Sequence, residues 1–463
     1  MLLRDKLKGA GVEKLADLLV SFYEENRNLQ KQLDILFASL EDKPNKMKSM
    51  IKKEIYSLKK STRFIDYYES GSFVDRLDTV RLRIIHELNA RCPEDAFELM
   101  IDFLEIHGSI LDRVDDSNGV AGDVFISAVH DLGQIAENIN HPISQMVEVV
   151  FLKCMDNDYG IYDHIIEVFK EALQIEGLDL LKERMKKSLT EENSRAIQRG
   201  LQSIADCKKD ADDYIEACSF TGEIYPYDCL EIAKRLADQK RGHDALIWLE
   251  RMGTPENLLW EGQYIDLKIH ALELEDRYNA AQEERLSWFE KSLDVETYGN
   301  ILKNAEEGFK KSFRSEAIEK AFQFRDPHRV LDFLMNIQEI EALSRYVRLK
   351  YNQLHGQLYQ YLRPTAEVLK DVDLVASTLL YRKMIQHILE GAQSKQYKYA
   401  IKDLLTCEAL SDKIEDWDSV QPHTLYFKEM EESHKRKYRF WMDYEKITHR
   451  RGVQKKEVSS DVI

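Results

Sequence analysis

Along this chain apolar residues recur at offsets of three and four, and period-two alternation bounded by turns is absent, so the pattern predicts helices almost throughout. Between 12 and 40, Leu15, Leu18, Leu19, Phe22, Leu29, Leu33, Leu36 and Phe37 keep helical spacing with a break after Glu25, which predicts two short helices packed on each other. Lys43 to Arg63 interleaves Met47, Met50, Ile51, Ile55 and Leu58 with eight cations, a basic amphipathic helix whose apolar stripe should face a core. Two further helices fall between Phe73 and Leu104, divided at Pro93, a residue suited to a first helical turn. Residues 178–205 predict two more, meeting near Thr190; a capping box there would take glutamate at the position Asn193 holds.

The helical pattern is interrupted at Asp112-Arg-Val-Asp-Asp-Ser-Asn-Gly-Val-Ala-Gly-Asp-Val-Phe125. Asp and Asn accept backbone hydrogen bonds at turns and helix starts, and Gly reaches backbone angles closed to other residues, so a loop and a capped helix are expected. Asp116 or Asp123 is placed to cap a helix beginning near Val124. Asp156-Asn-Asp-Tyr-Gly-Ile-Tyr-Asp163 repeats the recipe, with Gly160 lying 41 residues after Gly119 and Ile165-Ile166 standing where Val124-Phe125 stood. Pro93 and Pro142 open the helices leading into the two loops. That spacing suits paired-helix repeats of the HEAT and armadillo types, with the loops stacked on one edge.

After about 206 the pattern changes. Ile232, Ala233, Leu236, Gly242, Ala245 and Leu249 approach the offsets of a tetratricopeptide helix pair, Tyr278 and Ala281 repeat Gly242 and Ala245 36 residues on, and Tyr397, Ala400, Leu404 and Cys407 repeat the pairing again. A break is expected at Arg325-Asp-Pro-His328 and a turn at Tyr361-Leu-Arg-Pro364. The predicted fold is therefore all-α: a curved array of antiparallel helix pairs, an α-α superhelix. Residues 1–205 form a HEAT/armadillo-like half, 206–451 a tetratricopeptide-like half, and 452–463 a disordered tail.

Composition narrows the function classes. The 463 residues include only 8 Pro and 19 Gly, and a net charge of -17 argues against general nucleic-acid binding. Six cysteines form no C-x-x-C pair, which favours free thiols in a reducing compartment. The opening Met-Leu-Leu-Arg-Asp-Lys-Leu-Lys does not read as a signal peptide, and no apolar run approaches about 18–20 residues. The expected compartment is the cytoplasm.

Several blocks resemble a bacterial family of uncharacterised helical-repeat proteins, a domain of unknown function. The first block is Arg113-Val-Asp-Asp-Ser-Asn-Gly119 with Gly122-Asp-Val-Phe125, taking in Asp115, Asp116, Asn118 and Asp123; the second is Asp158-Tyr-Gly-Ile-Tyr-Asp163, with Tyr159 and Gly160. Leu380-Tyr-Arg-Lys-Met384 with Tyr397-Lys-Tyr-Ala400 is similar to a third, and His423 with His434-Lys-Arg-Lys437 and Phe440-Trp441 to a closing block, so that His434, Arg436, Lys437, Phe440 and Trp441 are binding or structural candidates. The likeness runs from about Val12 to Trp441 and departs from the family at Gln174, where glycine is expected before Gly177. It implies helical repeats in a bacterial cell and carries no activity.

Tests for chemistry leave little. With Gly119 or Gly160 at position 6 of a calcium loop, Val114 and Phe125, or Met155 and Ile166, stand where oxygen ligands are required. An irregular metal site from Asp115, Asp116, Asp123 and Asp158 competes with the reading of these residues as caps and turns. No zinc, nucleophile-elbow, phosphate-loop or dinucleotide motif occurs. The leading reading is a scaffold or adaptor that binds protein and needs no cofactor. A metal-assisted enzyme using the acidic loops is the first alternative, and nucleic-acid binding through Lys43–Arg63 and His434–Arg451 the second. His434–Trp441 is expected to dock as a terminal cap, with Tyr438 near the same side as Phe440 and Trp441.

Overall fold

The computed structural model describes residues 11–25, 30, 44–220, 222–255, 258–303 and 305–448. Among them there is no strand, one isolated bridge joins Ile65 to Val114, and the rest is helix and turn. The expected helix through Leu29, Leu33, Leu36 and Phe37 and the tail from 452 lie outside the described residues. The chain divides into two compact units, Met1–Gln239 and Lys240–Ile463, a boundary that falls later than the change of sequence pattern near 206.

The first unit holds α1 (Val12–Glu25), α2 (Pro44–Lys60), α3 (Tyr67–Arg83, running into a π-turn at Ile84–Leu88), α4 (Pro93–Leu104), α5 (His107–Leu111), α6 (Val120–Ala136), α7 (Ile143–Met155), α8 (Ile165–Val168), α9 (Lys170–Lys187), α10 (Ser194–Lys208), α11 (Ala211–Ser219) and α12 (Pro226–Asp238). The basic helix α2 behaves as its pattern requires. Met47, Ile51, Ile55 and Leu58 are buried, each contributing about 1.5–3 kcal/mol. Its cations turn to acidic partners on α4, with Lys48 2.6 Å from Asp95 and 2.7 Å from Glu98, and Lys52 3.2 Å from Asp102. Two of the cations on which a phosphate-binding face would rest are thus already paired.

Helix ends use the expected chemistry with unexpected residues. Thr190 and Asn193 form a reciprocal box: the Thr190 backbone N–H donates to Asn193 Oδ1 at 2.8 Å and the Asn193 N–H to Thr190 Oγ1 at 3.3 Å. Asparagine serves where glutamate was sought. Gly133 allows α6 to touch α8, since a Cβ there would lie 2.8 Å from the Val168 carbonyl oxygen. The helix after the second loop is short, and α9 carries a kink at Gln174, with φ 54 and ψ -171.

The second unit holds α13 (Gly242–Met252), α14 (Leu258–Leu274), α15 (Tyr278–Ser292), α16 (Val295–Leu302), α17 (Glu307–Gln323), α18 (Pro327–Asn336), α19 (Ile340–Lys350), α20 (Tyr359–Leu369), α21 (Leu374–Glu390), α22 (Tyr397–Ser411), α23 (His423–His434) and α24 (438–448). Most pack on the next in sequence, the closest pairs being α13 with α14, α14 with α15, α20 with α21 and α21 with α22. Gly242 abuts α14, where a Cβ would meet the Ala271 carbonyl oxygen at 2.6 Å. Phe289, Tyr298, Phe313 and Phe333 form an aromatic centre with ring centroids 5.4–5.8 Å apart.

Two expectations change here. Pro364 does not end a helix: it lies inside α20, forfeiting one backbone bond while burial of Leu362, Thr365, Ala366 and Leu369 carries the helix through. Tyr438 is 78% exposed, whereas Phe440 is fully buried against Tyr397, because two residues of helix turn the side chain to the opposite face. The closing segment otherwise docks as expected, with Trp441 Nε1 donating to the His434 carbonyl at 3.0 Å and Tyr444 Oη to Glu408 at 2.5 Å.

Gln174 occupies a backbone region that glycine alone enters freely, where another residue costs on the order of 1–3 kcal/mol. Gln174→Gly is therefore expected to raise the midpoint of thermal unfolding by about 2–4 °C. Calorimetry showing an unchanged or lower midpoint would contradict the kink.

Candidate functional site

The structure gathers the sequence blocks into two constellations, one in each unit. In the first, Asp112 and the two acidic loops meet. Asp116 lies ahead of α6 and accepts the backbone N–H groups of Ala121 at 2.8 Å and Gly122 at 2.9 Å. It is the cap, and it starts the helix at Val120, four residues before Val124. Gly119, with φ 75, supplies the left-handed step that brings the chain under the carboxylate. Asp115 closes a local turn onto Ser117, and Asn118 lies 3.5 Å from the Val120 N–H. Asp123, the other capping candidate, is an exposed first-turn acid favoured there by the helix dipole.

Arg113 points the other way. It is 7% exposed and donates to the main-chain carbonyls of Leu58 at 3.1 Å and Arg63 at 3.2 Å, closing the C-terminal end of α2, with its guanidinium 5.1 Å from the Phe73 ring. Burial, and then the charge of Arg76, lower its pKa from the ordinary arginine value. In the second loop Gly160 is again left-handed, Asn157 Nδ2 donates to Asp163 at 2.7 Å, and Asn157 Oδ1 accepts the Tyr162 N–H at 2.9 Å. Tyr159 Oη donates to Asp112 and so ties the loops together; that bond raises the phenol's pKa. Beneath them His107 donates Nδ1–H to the Leu104 carbonyl at 2.8 Å, its ring edge-on to Phe125, Tyr159 and Tyr162.

These contacts give the loops a structural task. Asp115, Asp116, Asp123 and Asp158 do not converge, and among the described residues no group of three His, Cys, Asp or Glu side chains is arranged to hold a metal ion. Asp112, Asn157, Tyr162 and His107 complete the constellation: the first three lie within the two aspartate-rich stretches without having been candidate site residues, and His107 stands outside them with no motif to mark it.

The second constellation joins the third and closing blocks. Arg382 on α21 is 3% exposed; its Nη1 donates to the Gln421 carbonyl at 2.7 Å, and its guanidinium lies 4.8 Å from the Trp417 ring and 4.5 Å from the Tyr426 ring. His423, at the start of α23, is 6% exposed with ring centroids 6.0 Å from Tyr426 and 6.3 Å from Phe427. Cys407 is buried on the facing helix, its Sγ 3.9 Å from the Thr378 carbonyl. Of the other closing-block candidates, Phe440 and Trp441 form the docked cap, His434 contributes its carbonyl, Lys437 is half-buried and Arg436 is exposed. Cys154, Cys207, Cys218 and Cys407 are free thiols, and burial pushes the Cys154 thiol up to about 12.

Asp116→Ala is expected to cost about 1 kcal/mol in chemical denaturation, the usual loss of a helix cap, while Asp123→Ala should cost far less. Calorimetric titration with calcium, magnesium, manganese or zinc is expected to show nothing at the loops tighter than about micromolar. Tight binding abolished by Asp115→Ala or Asp116→Ala would instead make them a metal site.

Burial, followed by the nearby charge of Arg382, lowers the His423 pKa from 6.5 to about 4. Between those values the unfolded chain binds a proton that the native imidazole refuses, so stability falls as pH drops from 6.5 toward 4, by at most about 3 kcal/mol. His423→Gln should flatten that part of the profile of unfolding free energy against pH. A variant with the full wild-type slope would show that the slope arises elsewhere.

No curated protein and no solved structure matches the chain. The sequence profile of a family of unknown function matches it twice, over residues 2–195 and 187–443. With nearly its whole length so covered, the chain belongs to the family of unknown function DUF6880.

Proposed function

We propose that this protein is a cytoplasmic interaction protein, a scaffold or adaptor, that binds a basic protein segment in an acidic cleft of its second unit. Its helix pairs are HEAT/armadillo-like in the first half and tetratricopeptide-like in the second. The observation that carries the reading is a cleft of about 590 Å³ lined by Gln263 and Asp266 of α14, Trp288 of α15, Asp294 before α16, and Glu296 and Asn300 within it.

The charges of this cleft are unbalanced. Four carboxylates, Asp266, Asp294, Glu296 and Asp326, face two cations, of which Lys291 is paired, 2.7 Å from Glu261, and Arg329 has its Nε donating to the Ser292 carbonyl at 2.8 Å. Asp294 and Asp326 serve as helix caps. Burial, and then repulsion from Glu296 and Asp294, hold the Asp266 carboxyl above its usual range. A lysine or arginine from an extended segment relieves that repulsion, and its methylene stem fits along Trp288. Helix-pair arrays commonly take extended or helical segments on such surfaces.

Capture of partners from native cells by the wild type and by the Asp266→Asn/Glu296→Gln variant tests this reading. A protein partner should be recovered on the order of tenfold less by the variant, and less at raised salt, as expected of charge complementarity. Identical recovery of every captured protein by both forms overturns it.

A further inference from the structure

Among the well-defined arginine pairs of this chain, a carboxylate normally meets the guanidinium. Arg363 grips Asp403 at 2.6 and 2.7 Å, Arg348 grips Asp373 at 2.6 and 2.7 Å, Arg81 lies 2.6 Å from Asp131, and Arg83 2.8 Å from Glu54. Arg113 departs from the rule, yet two main-chain carbonyls at a helix end take its charge, leaving only Nε without a partner. Arg382 departs further. It is 97% buried, being 3% exposed, and both Nε and Nη2 lack a hydrogen-bond partner. His423, 6% exposed, has neither ring nitrogen bonded.

The geometry of the unpaired atoms is informative. Nε–H and Nη2–H form one edge of the planar guanidinium, two parallel donors whose spacing suits the two oxygens of a carboxylate. The Trp417 and Tyr426 rings lie within 4.8 and 4.5 Å of the guanidinium carbon, and Nη1 is committed to Gln421. The edge is therefore what remains to bind. His423 also packs on Tyr426, with ring centroids 6.0 Å apart, and its neutral imidazole offers one further N–H donor.

We propose that Arg382 and His423 form a binding site for a single carboxylate group, gripped by the Nε/Nη2 edge of Arg382 and covered by the segment 412–421 that joins α22 to α23. Three contacts hold that cover over the site: the Gln421 carbonyl on Nη1, the Trp417 ring on the guanidinium, and Asp418 3.7 Å from Arg348. Asp418 is exposed, so the third contact contributes little and the cover rests mainly on Gln421 and Trp417. This site is separate from the acidic cleft and does not depend on it. The carboxylate comes either from a small organic acid or from the end of a peptide, and the chemistry at Arg382 is the same for both.

Fluorescence titration of the full chain tests the site, because Trp417 lies on Arg382 and Trp417→Phe identifies its signal among the five tryptophans. The probes are sodium acetate, an N-acetylated tripeptide with a free C-terminus, its C-amidated twin, and sodium chloride at matched ionic strength. Acetate, the free-acid peptide or both should give a saturable change at roughly millimolar concentration or below, absent with the amide and with chloride. A response to acetate alone assigns a small acid; a response to the free-acid peptide assigns a peptide end. Arg382→Lys, which keeps the charge but loses the two-donor edge, should weaken binding at least about tenfold. Should that variant not fold, His423→Phe is read in its place, with the same direction expected. No response in the wild type, an equal response to chloride, or undiminished binding in the variant that folds overturns the proposal.

Discussion

A helix with one apolar face and no sheet to lie on has to be covered by other helices, and the cheapest cover is the next helix in sequence. That constraint underlies both units. Short connections limit the entropy lost on closing each pair, and successive helices then bury a continuous core, from Met47 to Ala217 in the first unit and from Phe289 to Phe440 in the second. It also dictates how helices stop. At Lys209, Asp276, Gln338 and Ala392 the chain takes a left-handed step, and the following N–H bonds the carbonyl five residues back, as in Asp210 to Ala205 and Arg277 to Leu272. The bonds recovered by reversing the chain within two residues outweigh the strain of placing side chains where glycine is preferred.

Once adjacent helices are fixed, their charges are brought within reach of one another. Lys182 and Lys208 share Asp213, Lys186 reaches Glu216, and Arg235 holds Asp206 while stacking on Tyr214. The more open of these pairs, such as Lys186 with Glu216, contribute little individually to stability. Their effect is on the surface that remains. Cations are largely consumed, and the excess of acid in a chain of net charge -17 is left in places such as the cleft around Asp266. A chain whose exposed excess is negative offers a better match to basic protein segments than to phosphate backbones.

The two loop blocks and the Arg382–His423 pair show different uses of polar residues. Around Asp116 and Asn157 nearly every acceptor is spent on backbone N–H groups, which is what turn-forming residues do. Around Arg382 donors outnumber acceptors inside an aromatic enclosure. Aromatic faces offset part of the cost of burying that cation, but they accept nothing at its edge. The same residue classes thus build a joint in one unit and an unsaturated cationic centre in the other.

The sequence alone determined the all-helical class, because 3.6-residue periodicity persists through nearly every segment and depends only on which positions are apolar. It marked the core stripe of Met47, Ile51, Ile55 and Leu58, the helix starts at Pro93 and after Pro142, the two aspartate-rich loops, and the docked Phe440 and Trp441. These are local properties, legible at spacings of a few residues. It misjudged Pro364, since a local breaker yields when burial of Leu362 and Leu369 on either side outweighs one lost bond. Tertiary structure alone decided which acids meet which cations, that Tyr159 reaches Asp112 across 47 positions, and that Arg382 and His423 share one buried neighbourhood. No periodicity encodes such meetings. They follow from helix rotation and from left-handed turns at residues such as Gln338 and Lys209, which carry no glycine to announce them.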